Sequence, residues 1–152
     1  MRAALPFLVL LLAPSTAPAA EALNFRTAYL SDAVSVTEAM VRACTSRHPE
    51  LTARGAAALE SWRQRNAADA RRAARLVAEE LRNLSMSKEE TERALAQLRQ
   101  EHLEGWQRVA AFPTACSDYV ASLERPESDL ARLLPRPKGA AAGRAFVAFQ
   151  DR

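Results

Sequence analysis

The chain is poor in the residue types that most often do chemistry. Of its 152 residues, two are cysteine, two are histidine and four are glycine. It contains no glycine-rich phosphate loop, no HExxH zinc motif and no GxSxG nucleophile motif. The cysteines form no CxxC pair, no CxxCH haem site and no zinc cluster with histidine. We therefore expect a protein that is not an enzyme and that uses no cofactor and no metal ion.

The scarcity of glycine also bears on the fold, because 33 alanines accompany it. Alanine is the best helix former, so this composition favours helix over sheet. Lysine is scarce as well: 19 of the 21 basic residues are arginine, and 18 acidic residues leave a net charge of only +3. So small a charge, with no aromatic residues or glycines interleaved among the arginines, argues against nucleic acid as a partner.

No apolar run is long enough to cross a bilayer as a helix, but the chain begins with a short one. Arg2 precedes an apolar run over residues 5–13, and Ala17 and Ala19 stand at the positions that a signal peptidase reads. The run is about half of the roughly 20 residues that a membrane helix needs. The pattern predicts a signal peptide over residues 1–19, and hence a periplasmic protein with no transmembrane segment.

Two cysteines, Cys44 and Cys116, remain after that cleavage. An even number of cysteines in an exported protein indicates a disulfide. The helical register agrees, since it places both cysteines at the same height on neighbours of the second helix, to within one turn of about 5.4 Å. A reactive thiol at Cys44, four residues before His48, is the alternative.

Apolar residues recur every three or four positions through most of residues 20–135, which is the pattern of amphipathic helices. One helix is expected over residues 25–43 and a longer one as far as Leu84. A capping box of Ser87 and Glu90 predicts the start of a third. The sequence thus predicts an all-α domain over residues 20–135, a small helical bundle built on a long antiparallel hairpin and linked by one disulfide.

Residues 136–152 contain two of the four glycines and have no apolar stripe. We expect them to form a flexible C-terminal tail. Its apolar stretch "FVAF" either docks on the core or serves as a handle for a partner.

The stretch "SWRQRNAADARRAARL", residues 61–76, is rich in arginine. On a helix its arginines fall outside the apolar stripe, and Arg65–Asp69 and Arg75–Glu79 have the i,i+4 spacing of helical ion pairs. We interpret the stretch as the solvated face of a core helix. Contact with a polyanion or a membrane surface is the alternative, and the arginines that would make it are Arg63, Arg65, Arg71, Arg72 and Arg75.

The chain resembles a group of small exported helical proteins of proteobacteria with two cysteines. The residues that carry the resemblance are Cys44, Pro49, Trp62, Arg65 and Asn66, followed by "CSDY" and "DLARLLP". It covers most of the chain after the signal peptide. It implies no activity and no catalytic or binding residues.

Taken together, these features predict a non-catalytic periplasmic module that binds another periplasmic or envelope protein, such as an inhibitor, an immunity-like protein, a chaperone or an assembly factor. A carrier of a small apolar or lipid ligand in the bundle core is the second hypothesis. An enzyme with a site near His102 and Trp106 is the third. We expect His102 at the edge of the core, and His48 partly exposed at a helix junction.

Overall fold

A computed structural model describes residues 23–135. Within this range the chain forms α-helices, short 3-10 turns and no strand, so the all-α prediction is confirmed. The five helices are α1 (Phe25–Ser31), α2 (Ala33–Arg47), α3 (Thr52–Leu81), α4 (Lys88–Val109) and α5 (Pro113–Leu123). The 3-10 turns are Pro49–Leu51, Pro126–Ser128 and Leu130–Arg132. The predicted signal peptide and C-terminal tail lie outside the described residues.

The first predicted helix is two helices, because Asp32 interrupts it. Asp32 leaves helical geometry, with φ −153° and ψ 57°, and its side chain caps α2 by accepting from the Ser35 amide at 3.4 Å. A short polar side chain that bonds the backbone in this way competes with helix continuation. The apolar periodicity continues through the break, so periodicity alone did not reveal it.

The predicted capping box is confirmed at the start of α4. The Ser87 hydroxyl accepts from the Glu90 amide at 3.2 Å, and the Ser87 amide donates to the Glu90 carboxylate at 2.8 Å. That backbone hydrogen bond is the main reason why the pKa of Glu90 lies below its ordinary value. Together the two bonds satisfy amides that a helix N-terminus otherwise leaves unpaired.

The short helices α1 and α2 form a wedge that packs against both long helices, α3 and α4. Helix α5 packs on α3 and α2. The turn between the long helices falls over residues 82–87, near the position that the sequence predicts. Their long antiparallel hairpin is not confirmed, because both helices pack mainly on the wedge.

Two groups of buried side chains form the core. The larger joins the wedge, both long helices, α5 and the chain after it, with Trp62 and Leu130 among its fully buried members. The smaller surrounds the disulfide and contains Ala110, with Trp106 packed against it. Among residues 23–135, no helix is both long enough and apolar enough to cross a membrane.

The predicted disulfide between Cys44 and Cys116 is confirmed. It joins α2 to α5 across 72 residues, with a Cα–Cα distance of 5.4 Å, and both cysteines are fully buried. Close by, α3 approaches α2 at Gly55, where an added Cβ would lie 3.0 Å from the Thr45 methyl carbon. The small residue therefore sets how closely the two helices pack.

Candidate functional site

Three of the five arginines in residues 61–76 bind other parts of the molecule. Arg63 forms an ion pair with Glu38 of α2. Arg65 donates to the Asp129 carboxylate at 3.2 Å and to the Leu123 carbonyl at 2.6 Å. Arg72 donates to the Pro135 carbonyl. These side chains therefore join α3 to other parts of the molecule, although they lie on the outer face of the helix.

The i,i+4 pairs expected from the sequence do not form among the described residues. Arg65 pairs with Asp129, and no ion pair joins Arg75 to Glu79. Arg71 and Arg75 are exposed. The side chain of neither forms a hydrogen bond or an ion pair within the described part of the chain. Of the arginines named as a contact surface, these two are therefore the least engaged within the molecule.

The chain after α5, residues 124–135, lies along α3 and is called the strap below. Asn66, which is buried, accepts from the Leu130 amide at 2.7 Å and donates to the Asp129 carboxylate at 3.2 Å. The Trp62 indole donates to the Ser128 carbonyl at 3.3 Å. These bonds satisfy polar groups that the strap, which is not a regular helix, cannot satisfy within itself.

The beginning of the strap is held by a two-pronged ion pair. The Arg54 guanidinium donates to both carboxylate oxygens of Glu124, at 2.7 and 2.8 Å. Arg54 lowers the pKa of Glu124, chiefly through these hydrogen bonds. Both side chains are about half exposed, so the pair fixes geometry more than it stabilises the fold.

Three residues of α3, namely Trp62, Arg65 and Asn66, bind the same segment of the strap, which contains Ser128, Asp129 and Leu130. Cys44 of α2 forms the disulfide. The contacts of these residues are internal, so their role here is to hold the fold together.

The expectation that His48 is partly exposed is wrong. His48 is buried, and its Nε2 lies 2.9 Å from the Ala110 carbonyl oxygen. The bond ties the α2 end to the α4–α5 junction and explains why a polar ring is buried there.

His102 lies at the edge of the core, as expected. Its ring stacks on that of Phe25, with centroids 3.7 Å apart and an angle of 19° between the planes. Burial against this ring lowers the pKa of His102 below its ordinary value. The neutral imidazole is therefore favoured, because the charged form would lose part of its hydration shell when it stacks on the apolar Phe25 ring.

Near His102, the aromatic residues of α4 and α5 are tied to α2. The Trp106 indole donates to the Met40 carbonyl at 3.0 Å, and its ring lies 4.8 Å from that of Tyr119. The Tyr119 hydroxyl contacts the Met40 sulfur at 3.6 Å, and burial raises the pKa of Tyr119. This neutral, partnered cluster is typical of a core.

Within residues 23–135, every buried side-chain nitrogen or oxygen has a hydrogen-bond partner. The same residues contain no group of three or more His, Cys, Asp or Glu side chains that could hold a metal ion. A corner and a groove are two prominent features of the described surface.

The corner comprises residues 109–113, "VAAFP", between α4 and α5. Its Phe112 side chain is 64% exposed and that of Val109 is 41% exposed. Consecutive exposed apolar residues are unfavourable on a surface unless they serve a function. Buried Ala110, whose carbonyl meets His48, anchors the middle of the corner, while the disulfide fixes Cys116 one turn later.

The groove lies between the end of α3 and the start of α4, beyond the tip of the wedge at Ser31. Its volume is about 720 Å³. The apolar residues that line it are Ala74, Val77, Ala78, Leu81, Met86 and Leu95. Its charged residues are Arg75, Arg82, Lys88, Glu79 and Glu92. The groove exists because the wedge ends before the long helices do.

No protein-family model, curated protein or solved structure matches this chain. The fold and the disulfide place the described part of the protein in the class of disulfide-linked all-α domains.

Proposed function

We propose that this protein is an exported, non-catalytic module that binds another protein of the periplasm or cell envelope through the corner. The observation that carries the proposal is the rigid display of Phe112. An aromatic side chain with 64% of its surface exposed loses apolar contact with water when a partner covers it. Aromatic residues of this kind are typical anchors of protein interfaces.

The rigidity of the corner also supports the proposal. The corner is held by the His48 bond to Ala110, by the disulfide at Cys116 and by Pro113, which starts α5 with its φ fixed. A surface that is ordered before binding loses little conformational entropy on binding. The sequence pattern of residues 1–19 supports export, and a disulfide is compatible with it.

The proposal is tested by placing a photo-crosslinking phenylalanine analogue at position 112 in the producing cells. We expect a covalent adduct with one defined protein, and the same adduct from position 109. The matched control is the same analogue at Ala67, an exposed residue in the middle of α3 that is not part of the corner. Phe112→Ser, combined with the analogue at 109, should abolish the adduct without lowering the thermal midpoint, since Phe112 is exposed and stands at the N-cap of α5, a position that suits serine. Identical adducts from 67 and 112, or none from 112 and 109, would refute the proposal.

A further inference from the structure

We propose that the groove binds a long-chain alkyl carboxylate, with the alkyl chain on its apolar floor and the carboxylate at Arg75 and Arg82. Such a site takes a small amphiphile and is separate from the corner. Leu95 lines the groove, whereas Val109 of the corner lies about 21 Å further along α4, at 1.5 Å per residue. Binding at either surface is therefore tested without the other.

The floor of the groove is apolar, and its size suits one small molecule. Val77, Leu81 and Leu95 belong to the core and also line the groove. Its volume of about 720 Å³ lies within the roughly 300–1,000 Å³ of typical ligand sites. The wall on α3 extends from Ala74 to Arg82, which is about 12 Å along the helix axis. An alkyl chain that covers this floor leaves water, and this transfer favours binding.

The hydroxyl groups that line the groove are already used within the molecule. The Ser31 hydroxyl donates to the Ala28 carbonyl at 2.7 Å and accepts from Arg99 at 2.8 Å. The Thr91 hydroxyl donates to the Ser87 carbonyl at 2.9 Å. Neither hydroxyl has a proton left to donate to a ligand. The tip of the wedge and the start of α4 therefore favour an alkyl chain over a polar one.

Two guanidinium groups beside this floor have no partner among residues 23–135. Arg75 and Arg82 line the groove and are exposed, and the side chain of neither forms a hydrogen bond or an ion pair in that range. Seven residues are about two helical turns, so both arginines lie on one face of α3, roughly 10 Å apart along its axis. Ala78 stands between them, and their long side chains can converge on one carboxylate above it. A guanidinium donates two parallel hydrogen bonds to such a group.

The other charged groups leave the groove with an excess of positive charge. Lys88 and Glu92 pair with each other at 3.7 Å. Glu79 is then the remaining carboxylate of the lining, against two arginines. The excess favours an anionic head group over a neutral or cationic one, while Glu79 opposes it by like-charge repulsion.

Methionine methyl NMR of the purified protein locates and measures the binding. Dodecanoate, kept below its micelle concentration, should shift the methyl resonance of Met86, which lines the groove, and saturate at one molecule per protein. The resonance of Met40, which is buried elsewhere in the core, should stay unchanged. Decanoate, with two fewer methylenes, should bind about 15-fold more weakly, since each buried methylene contributes about fourfold. The absence of a saturable Met86 shift would overturn the proposal.

Charge variants test the role of the arginines. Arg75→Gln with Arg82→Gln should weaken dodecanoate binding about fivefold and leave the binding of uncharged dodecanol unchanged, which also shows that the fold is intact. The matched control is Arg71→Gln, which should have no effect, because Arg71 is exposed on the same helix but does not line the groove. Glu79→Gln should strengthen dodecanoate binding. Equal weakening by Arg71→Gln, or equal affinities for dodecanol and dodecanoate in the unchanged protein, would overturn the proposal.

A vesicle assay distinguishes a single bound molecule from a membrane surface. We expect phosphatidylglycerol vesicles to float little of the protein, because its net charge is only +3. Strong flotation that Arg71→Gln reduces as much as the arginine pair does, together with no Met86 shift by dodecanoate, would mean that the arginines contact a membrane, and the proposal would be wrong. Phe112→Ser should alter none of these measurements, so they do not depend on the corner.

Discussion

The side-chain oxygen of Asn66 lies 2.7 Å from the backbone nitrogen of Leu130, a residue 64 positions later in the chain. Asn66 is 1% exposed and Leu130 is fully buried, so water cannot replace this hydrogen bond. Through it, the middle of α3 determines the position of the strap. Arg65 and Trp62, on the same part of α3, reinforce the contact.

Replacement of Asn66 by alanine should destabilise the protein by about 2 kcal/mol, because it leaves the Leu130 amide buried without an acceptor. Chemical denaturation measures the change. The control is Gln64→Ala, whose amide donates only to exposed Glu60 on the same helix, and which should alter stability by less than about 0.5 kcal/mol. Equal losses of stability in the two variants would show that the buried Asn66–Leu130 hydrogen bond contributes no more than an exposed one.

Removal of the disulfide by Cys44→Ala with Cys116→Ala should cost about 4 kcal/mol, from the entropy of the unfolded loop that the bond closes across 72 residues. This corresponds to a fall in the thermal midpoint of roughly 10 °C or more. Differential scanning calorimetry measures it. Wild-type protein in reducing buffer should approach the variant, and an unchanged midpoint in both would contradict the structural role of the bond.

Stability should fall as the pH decreases through the range in which His102 titrates. Burial lowers the pKa of folded His102 below its ordinary 6.5, so the unfolded state binds more protons in this range. The contribution is complete above the unfolded pKa and is lost as the pH falls through the folded pKa. Thermal midpoints between pH 8 and 5 measure it. His102→Gln should flatten the dependence, and an equally steep profile in that variant would assign it to other groups.

Gly55 and Gly105, the two glycines within residues 23–135, should respond in opposite directions to larger residues. Gly105→Ala should stabilise the protein by about 0.5–1 kcal/mol, since alanine favours helix and the nearest atom to an added Cβ is a flexible arginine end at 3.8 Å. Gly55→Val should destabilise it, because even a Cβ there lies 3.0 and 3.3 Å from Thr45 and Val41. Denaturation midpoints of both variants decide the matter, and a stable Gly55→Val protein would show that α2 and α3 can separate.

Local signals in the sequence predicted the helical class, the capping box and the disulfide partners. The first two depend on nearby spacing, namely apolar residues every three or four positions and Ser87 with Glu90, so their physical cause lies within a few residues of its effect. The disulfide partners, 72 residues apart, were predictable because the chain has only two cysteines.

Distant contacts were not predictable in the same way. Asp69 is the nearest acid at helical spacing from Arg65, yet Arg65 pairs with Asp129 because the strap brings that carboxylate to α3. The wedge was missed because periodicity runs through Asp32. The apolar corner could have been noticed from "VAAFP", a run of apolar residues beside a proline, where a connection between helices is usually polar.

Arginine-rich α3 holds the strap against the core, and amide hydrogen exchange at Leu130 tests this most directly. The comparison is between wild type, Arg65→Ala and Arg71→Ala, since Arg65 binds the strap and Arg71 is exposed on the same helix. We predict slow exchange in wild type and in Arg71→Ala, and markedly faster exchange in Arg65→Ala. Fast exchange in wild type, or equal rates in all three proteins, would contradict the claim.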